Sequence, residues 1–252
     1  MFIIISCAKT MSVDNNVREV PLTTKPQFEK QALQNGAAMA SYSVNELQKL
    51  LKVNTKIAEE TKMRYFDFIS GKASVSPALF AYTGAVFKRI NPMNFDFDDC
   101  RYAQDHMMIC SFLYGLLRPM DMISSYRLEG NVKLDINNET MFDFWKPILT
   151  DVLISETKKQ GGVLLNLASD EMKDLFDWKK VKNEVKIITP EFKVLKDGKL
   201  KTIVIYTKMC RGEMTRYIIK NKITDIEDLK HFSWEGFTFE SDSDNTLLYL
   251  NK

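Results

Sequence analysis

MFIIISCAKT, residues Met1–Thr10, decides how the rest of the chain is arranged. Met1–Ile5 is a short, β-branched apolar run without polar alternation, the pattern of a strand buried on both faces. Helical patterns dominate the middle of the chain, so this first strand must pair with strands far along it. Ser6-Cys7-Ala8-Lys9-Thr10 leaves the carboxyl end of that strand, where open α/β sheets place ligands. A serine, a lysine and a threonine together suit an anion. The loop has no glycine-rich phosphate cradle, so it is not a Walker A motif.

The most similar segment is Val163–Ala168, a second buried strand running into Ser169-Asp170-Glu171. Ser169 suits a helix N-cap, and acids in a first turn favour the helix dipole. Asn166 sits in an otherwise apolar strand and needs a polar partner. Val185–Ile188, Glu191–Lys196 and Leu200–Thr207 also read as strands, the last two joined by the hairpin signal Asp197-Gly198. Phe237-Thr238-Phe239 and Leu247–Leu250 predict a closing hairpin.

Helical signals fill the interval. Residues 11–26 are polar and read as loop. Ser43-Val44-Asn45-Glu46 is a capping box before Leu47, Leu50 and Leu51. A helix over Thr55–Ile69 follows. Ser76-Pro77 predicts the start of a helix to Arg89. Asp98 or Asp99 caps another whose face is Tyr102, His106, Ile109, Leu113 and Leu116, with Arg118 at its end. Thr140–Gln160 is helical, bent or restarted at Pro147. The last helices run from Arg211 to Lys222 and from a capping box at Thr224-Asp225-Ile226-Glu227. The pattern as a whole predicts a mixed α/β fold: one mixed β-sheet flanked by helices, in a single domain over residues 1–252.

Composition sets outer limits. The 252 residues are 45% hydrophobic and 27% charged, ordinary for a globular protein. A net charge of +2 is too mild to argue for nucleic acid by itself. The distribution is less even: residues 170–222 carry 14 Lys+Arg against 8 Asp+Glu, whereas residues 223–252 carry 2 against 7. No secretory signal opens the chain and no apolar run approaches the ~20 residues that span a bilayer. Four cysteines without a C-x-x-C pair fit free thiols in a reducing cytoplasm. His106 between Cys100 and Cys110 matches no common zinc spacing, and a histidine bonded to backbone is the simpler reading. No metal or cofactor is expected.

Two further segments hold candidate site residues. Arg118-Pro119 has a structural reading, a cation at a helix end followed by a helix breaker. In Tyr126-Arg127-Leu128-Glu129, alternation turns Tyr126 and Leu128 to the core and leaves Arg127 and Glu129 either paired or facing a cleft. Lys208-Met209-Cys210-Arg211-Gly212-Glu213-Met214-Thr215-Arg216 is the strongest basic segment. At the start of a helix, Lys208, Arg211 and Arg216 gain most if an anion sits there.

Taken in order, these segments resemble the YaaA family of bacterial peroxide-stress proteins. The likeness rests on IIISCAKT, LYGLLRPMD with YRLE, FDFW at 142–145, NLASDE at 166–171 and KMCRGEMTRYII at 208–219. It implies a cytoplasmic α/β protein that limits oxidative damage by lowering free iron, with a positively charged cleft. It also implies DNA binding through a helix-hairpin-helix element. Carried over residue by residue, it marks Ser6, Lys9, Thr10, Arg118, Asp121, Tyr126, Arg127, Glu129, Asn166, Ser169, Glu171, Lys208, Arg211, Gly212 and Arg216. Glu129 and Glu171 are the candidate acid–base groups, and Ser6, Lys9, Thr10, Arg118, Tyr126, Arg127, Asn166, Ser169, Lys208, Arg211 and Arg216 are the candidate ligand or phosphate contacts. The partner expected is DNA or, in the alternative, a small anionic, nucleotide-like metabolite on which the protein acts as an enzyme.

This chain departs from the family pattern in several places. Cys7 replaces the proline of Ser-Pro-Ala-Lys-Thr, and Gly84-Ala85-Val86-Phe87 replaces Gly-Asp-Val-Tyr. Arg89 stands where a glycine is usual. The helix-hairpin-helix region, near residues 47–66, lacks the hairpin glycine. Cys100 and Cys110 match nothing in the pattern.

Overall fold

The computed structural model describes residues 1–13, 19–136 and 138–252; residues 14–18 of the predicted 11–26 loop lie outside the described residues. The opening segment forms β1 (Phe2–Ser6), and Phe2 to Ile5 are each at most 2% exposed. It pairs in parallel with β2 (Met107–Ser111) on one side, Ile3 opposite Met107 and Ser6 opposite Cys110. β3 (Gly115–Leu117) folds back antiparallel on β2. On its other side β1 pairs in parallel with β4 (Val163–Asn166), Phe2 opposite Leu164. Both partners lie a hundred or more residues away, as the first ten residues require.

The sheet continues through β5 (Lys186–Lys196), parallel to β4, with β6 (Lys199–Lys201) as its hairpin partner. β7 (Ser233–Trp234), β8 (Phe237–Ser243) and β9 (Thr246–Asn251) complete it. The order is β7-β8-β9-β5-β4-β1-β2-β3, with β6 beside β5, which makes nine strands among the described residues. β9 joins β5 in parallel while β8 and β9 form the predicted closing hairpin. The sheet is therefore mixed, and the mixed α/β class holds.

Helices cover it: α1 (Glu29–Ser41), α2 (Val44–Leu51), α3 (Thr55–Ile69), α4 (Ala78–Ala81), α5 (Ala85–Ile90), α6 (Phe97–His106), α7 (Met141–Lys159), α8 (Trp178–Glu184), α9 (Val204–Asn221) and α10 (Ile226–Leu229). The Ser43 capping box opens α2 as predicted, and Pro147 is accommodated inside α7.

Several sequence readings change. The helix expected to reach residue 117 stops at His106, because Met107–Ser111 is the partner β1 needs. A fully buried apolar run does not reveal by periodicity which it is. Gly115, at φ +73°, turns the chain into β3; a Cβ there would meet the Trp145 ring at 2.8 Å. Ser76-Pro77 pairs with Met122–Ile123 and still precedes a helix, with Pro77 rather than Ser76 at its N-cap, while the helix expected to Arg89 splits into α4 and α5. Val185–Ile188 and Glu191–Lys196 merge into one strand through Pro190. The strand expected over Leu200–Thr207 ends at Lys201, and α9 begins at Val204, seven residues before the predicted Arg211. Val204, Ile205 and Tyr206 are 66%, 50% and 42% exposed, so no sheet face holds them and their weak strand preference does not decide the element. Asp225, not Thr224, caps α10. α1 went unpredicted; a glycine inside it, Gly36, packs against the Phe68 ring.

α5 and α9 cross at a glycine. A Cβ on Gly212 would lie 2.3 Å from the Val86 carbonyl oxygen and 2.7 Å from Arg89 Cβ, so the two backbones touch there. At the other end of α5, a Cβ on Gly84 would lie 2.7 Å from Ala8 Cβ. These two contacts clamp α5 between the loop after β1 and α9.

Candidate functional site

The loops leaving β1 and β4 run side by side because their strands are neighbours. Ser6 Oγ accepts a hydrogen bond from the Ser169 backbone N–H at 2.9 Å, and the two hydroxyls lie 3.1 Å apart. The cap role expected of Ser169 is thus replaced by a tie between loops; its side chain caps nothing. Segment 126–129 is laid across the carboxyl end of β2 by a buried hydroxyl cluster. Tyr126 Oη lies 2.7 Å from Ser111 Oγ and 2.9 Å from Tyr82 Oη. Tyr126 and Leu128 are each 5% exposed, which matches the alternation read from the sequence.

These elements, with α5 and α9, enclose a cavity of about 310 Å³. Of the candidates, Ser6, Lys9, Thr10, Tyr126, Arg127, Glu129, Ser169, Glu171, Lys208 and Arg211 line it. Segments far apart in the sequence therefore meet in one concavity. Four cations stand there against two carboxylates.

Arg127 and Glu129 are both paired and turned to the cleft. Glu129 Oε2 lies 2.7 Å from Lys9 Nζ, and Oε1 lies 3.1 Å from an Arg127 terminal nitrogen. The pair is imperfectly bonded: Glu129 Oε1 and Arg127 Nε are buried without a hydrogen bond among the described residues. Glu171 is exposed at the rim and forms no ion pair among the described residues. Lys208 and Arg211 stand one turn apart on α9. Arg211 forms no ion pair among the described residues, and its Nε is buried without a partner there. Burial holds its guanidinium below the usual arginine value, with Asp170 opposing at longer range.

Cys7 is also in the wall. Burial pushes its thiol up to about 12; a hydrogen bond with Tyr126 opposes this, and the Glu171 and Glu129 charges reinforce it. Such a thiol is a packing group rather than a nucleophile.

Five of the marked residues fall outside the cavity lining: Arg118, Asp121, Asn166, Gly212 and Arg216. Arg118 is not at a helix end: it lies just after β3, where its guanidinium donates to Asp121 Oδ1 at 2.8 Å and to the Lys25 carbonyl. Asp121, 0% exposed, also accepts from Thr24. Arg216 lies on the far side of α9, donating to the carbonyls of Ile90 and Asn91 and lying 5.9 Å from the Phe95 ring centroid. Asn166 is buried and accepts from the Ala168 N–H, a local turn that satisfies the polar group the apolar strand left in question. Lys208 sits in the second turn of α9 rather than at its start, so the helix N-terminus does not explain its position.

Reasoning from sequence missed the apolar wall: Ala85, Val86, Phe87, Phe112, Leu167 and Met172. One signal was present. Gly84–Phe87 is where the chain departs from the family pattern, and both changed positions, Ala85 and Phe87, line the cavity. His106, by contrast, donates from Nδ1 to the Tyr102 carbonyl and stacks on that ring, as a structural histidine does. No group of three or more His, Cys, Asp or Glu side chains gathers as a metal site among the described residues. No helix among them is long and apolar enough to cross a membrane.

The fold is thus a mixed α/β sheet whose strand ends open on a cavity lined by four cationic and two acidic side chains. The chain belongs to the peroxide stress protein YaaA family, whose model matches residues 1–243. It is 59% identical over 251 residues to a UPF0246 protein of Bacteroides fragilis, covering 99% of this chain and 97% of that one. A UPF0246 protein of Phocaeicola vulgatus is 55% identical over 251 residues, with 99% and 98% covered. One from Francisella tularensis is 35% identical over the whole of both chains.

Proposed function

We propose that this peroxide-stress family member works by binding a small phosphate- or carboxylate-bearing molecule in the cleft at the strand ends. The observation that carries the reading is Arg211. A desolvated cation without an ion pair raises the free energy of the folded state, and an anion beside it recovers that cost. Lys208 adds a second cation on the same helix, and Ser6, Thr10 and Ser169 offer hydroxyl donors. A concavity of about 310 Å³ is at the lower end of ligand sites and far too small for a duplex.

If the molecule is transformed there, Glu171 is the carboxylate left to move a proton, because both oxygens of Glu129 already face cations. Lowering of free iron in the cell would then follow from the ligand's chemistry rather than from iron held by this chain. The test is calorimetric titration with phosphorylated metabolites. Binding should weaken at least tenfold in Arg211→Gln and in Lys208→Ala. Unchanged affinity in both variants removes the reading.

A second reading, DNA binding, rests on a different surface. α2 and α3 do form two helices joined by a tight turn. Lys52 takes the left-handed conformation, φ 52° and ψ 49°, that a hairpin glycine would occupy. Lys49, Lys52 and Lys56 are exposed around it. DNA titrations at two salt concentrations with the three lysines changed to alanine test it. Affinity that ignores both salt and the substitutions ends it.

A further inference from the structure

If the cleft takes an anion, its opposite wall says what the anion is attached to. α5 is clamped between Ala8 and α9 by the Gly84 and Gly212 contacts. Ala85, Val86 and Phe87 of α5 line the same cavity as Lys208 and Arg211 and give it a fixed apolar wall. Phe112 and Met172 continue that surface. A bare inorganic phosphate or a phosphorylated sugar leaves this wall against water or against hydroxyls, neither of which it can hydrogen-bond. A flat ring covers it and gains contact area with aromatic and thioether groups.

The far rim is polar in a particular way. Arg127 and Lys9 carry N–H donors and Glu129 carries acceptor oxygens, held next to one another by their ion pairs. Donors and acceptors side by side match the edge of a heterocycle that itself alternates N–H and C=O groups. An aliphatic tail would leave them unmatched.

We infer that the cleft is built for a nucleoside 5′-monophosphate: phosphate on Lys208 and Arg211, ring against Ala85–Phe87, and base edge toward Arg127 and Glu129. This rests on the anion-binding reading of the same cavity. The size agrees, since about 310 Å³ admits one such molecule and not a dinucleotide.

The experiment titrates the purified protein with adenosine and uridine 5′-monophosphates, ribose 5-phosphate, inorganic phosphate and adenosine, at fixed salt. At least one nucleotide should bind ten times more tightly than ribose 5-phosphate and than adenosine. Ala85→Leu, which fills the ring position at the first residue of α5, should erase the tenfold advantage over ribose 5-phosphate. Arg211→Gln should weaken both phosphates about tenfold. Nucleotides and ribose 5-phosphate binding within twofold of each other would overturn the ring while leaving an anion cleft in place. Adenosine binding as well as its monophosphate, or no phosphate binding at all, would overturn both. The comparison among ligands needs no variant, so a poorly folded Ala85→Leu protein does not protect the inference.

Discussion

Asp99 ties two distant helices together, and replacing it with asparagine tests how. The carboxylate is 2% exposed in the first turn of α6, yet it meets the two lysines at the end of α9. Lys220 Nζ donates at 2.6 Å, and Lys222 Nζ reaches the other oxygen. Burial pushes the carboxyl up, but the hydrogen bonds of Lys220 and Lys222 outweigh it and leave the group below its ordinary 3.8. In Asp99→Asn the amide would keep the shape and an acceptor for the Asp96 N–H, and lose the charge together with the oxygen that accepts from Lys222. Breaking a fully buried pair costs ~3–5 kcal/mol and an exposed one under ~1 kcal/mol. The two lysines are 35% and 37% exposed, which places this triad between those limits, at roughly 2–3 kcal/mol.

For a chain of this size that is a fall in Tm of roughly 5–10 °C. Thermal unfolding followed by circular dichroism reads it, with Asp98→Asn as the control. Asp98 is 83% exposed and 3.9 Å from Arg101, so its substitution should move Tm hardly at all. The pH dependence has a definite sign. A carboxyl whose folded value is depressed contributes fully above its unfolded value and loses that contribution as pH falls through the folded one. The gap between Asp99→Asn and the parent should therefore be constant from about pH 5 to about pH 8 and close below about 3.8. A gap that stays as wide near pH 3 as at neutral pH, or a control that falls equally, refutes the reasoning.

Gly212→Ala should cost about 1–3 kcal/mol by overpacking the α5–α9 crossing, and should weaken any cleft ligand, because the helices that line the cavity must part. Unfolding and titration curves indistinguishable from the parent would contradict this. Asn35 is 0% exposed with neither amide atom hydrogen-bonded among the described residues, so Asn35→Leu should raise Tm. A fall in Tm of several degrees would mean that the amide has partners. With its thiol near 12, Cys7 is thiolate in only about one molecule in ten thousand at pH 8. Iodoacetamide should therefore label it far more slowly in the folded than in the denatured protein, by peptide mass; equal rates would sink that account.

How much the residues announced depends on the kind of signal. The β1 and β4 strands, the Ser43 box and the Asp197-Gly198 hairpin are local, and each stands where its chemistry puts it. Asp197 and Gly198 both take positive φ, as a two-residue hairpin of this type demands. Met107–Ser111 failed because an apolar run of that length suits either element and its neighbour β1 makes the choice, whereas Val204, Ile205 and Tyr206 are apolar but exposed, so their composition did not report burial in a sheet. For the site, residues at strand ends were legible because parallel strands bring their carboxyl ends together: Ser6, Lys9, Ser169 and Glu171 follow from topology. Arg118 and Arg216 rested on charge and on the family pattern, and neither says which side of an element a residue occupies. The apolar wall on α5 had no charge to advertise it. Its one trace in the sequence was the departure from the family pattern at Ala85 and Phe87, and the close backbone approaches at Gly84 and Gly212 fix its place.

Because β1 lies inside the sheet between strands from later in the chain, the ribosome makes an interior strand long before either of its neighbours. Roughly 160 residues must be added before Val163–Asn166 exists, which at 5–20 residues per second is about 10–30 s. Throughout that interval Phe2–Ile5 is a sticky β-prone segment on an unfinished chain, and Met107–Ser111 is the earliest cover it can find. Translation pauses between those two partners, or the loss of a chaperone that shields the nascent terminus, should lower yield without altering the finished molecule.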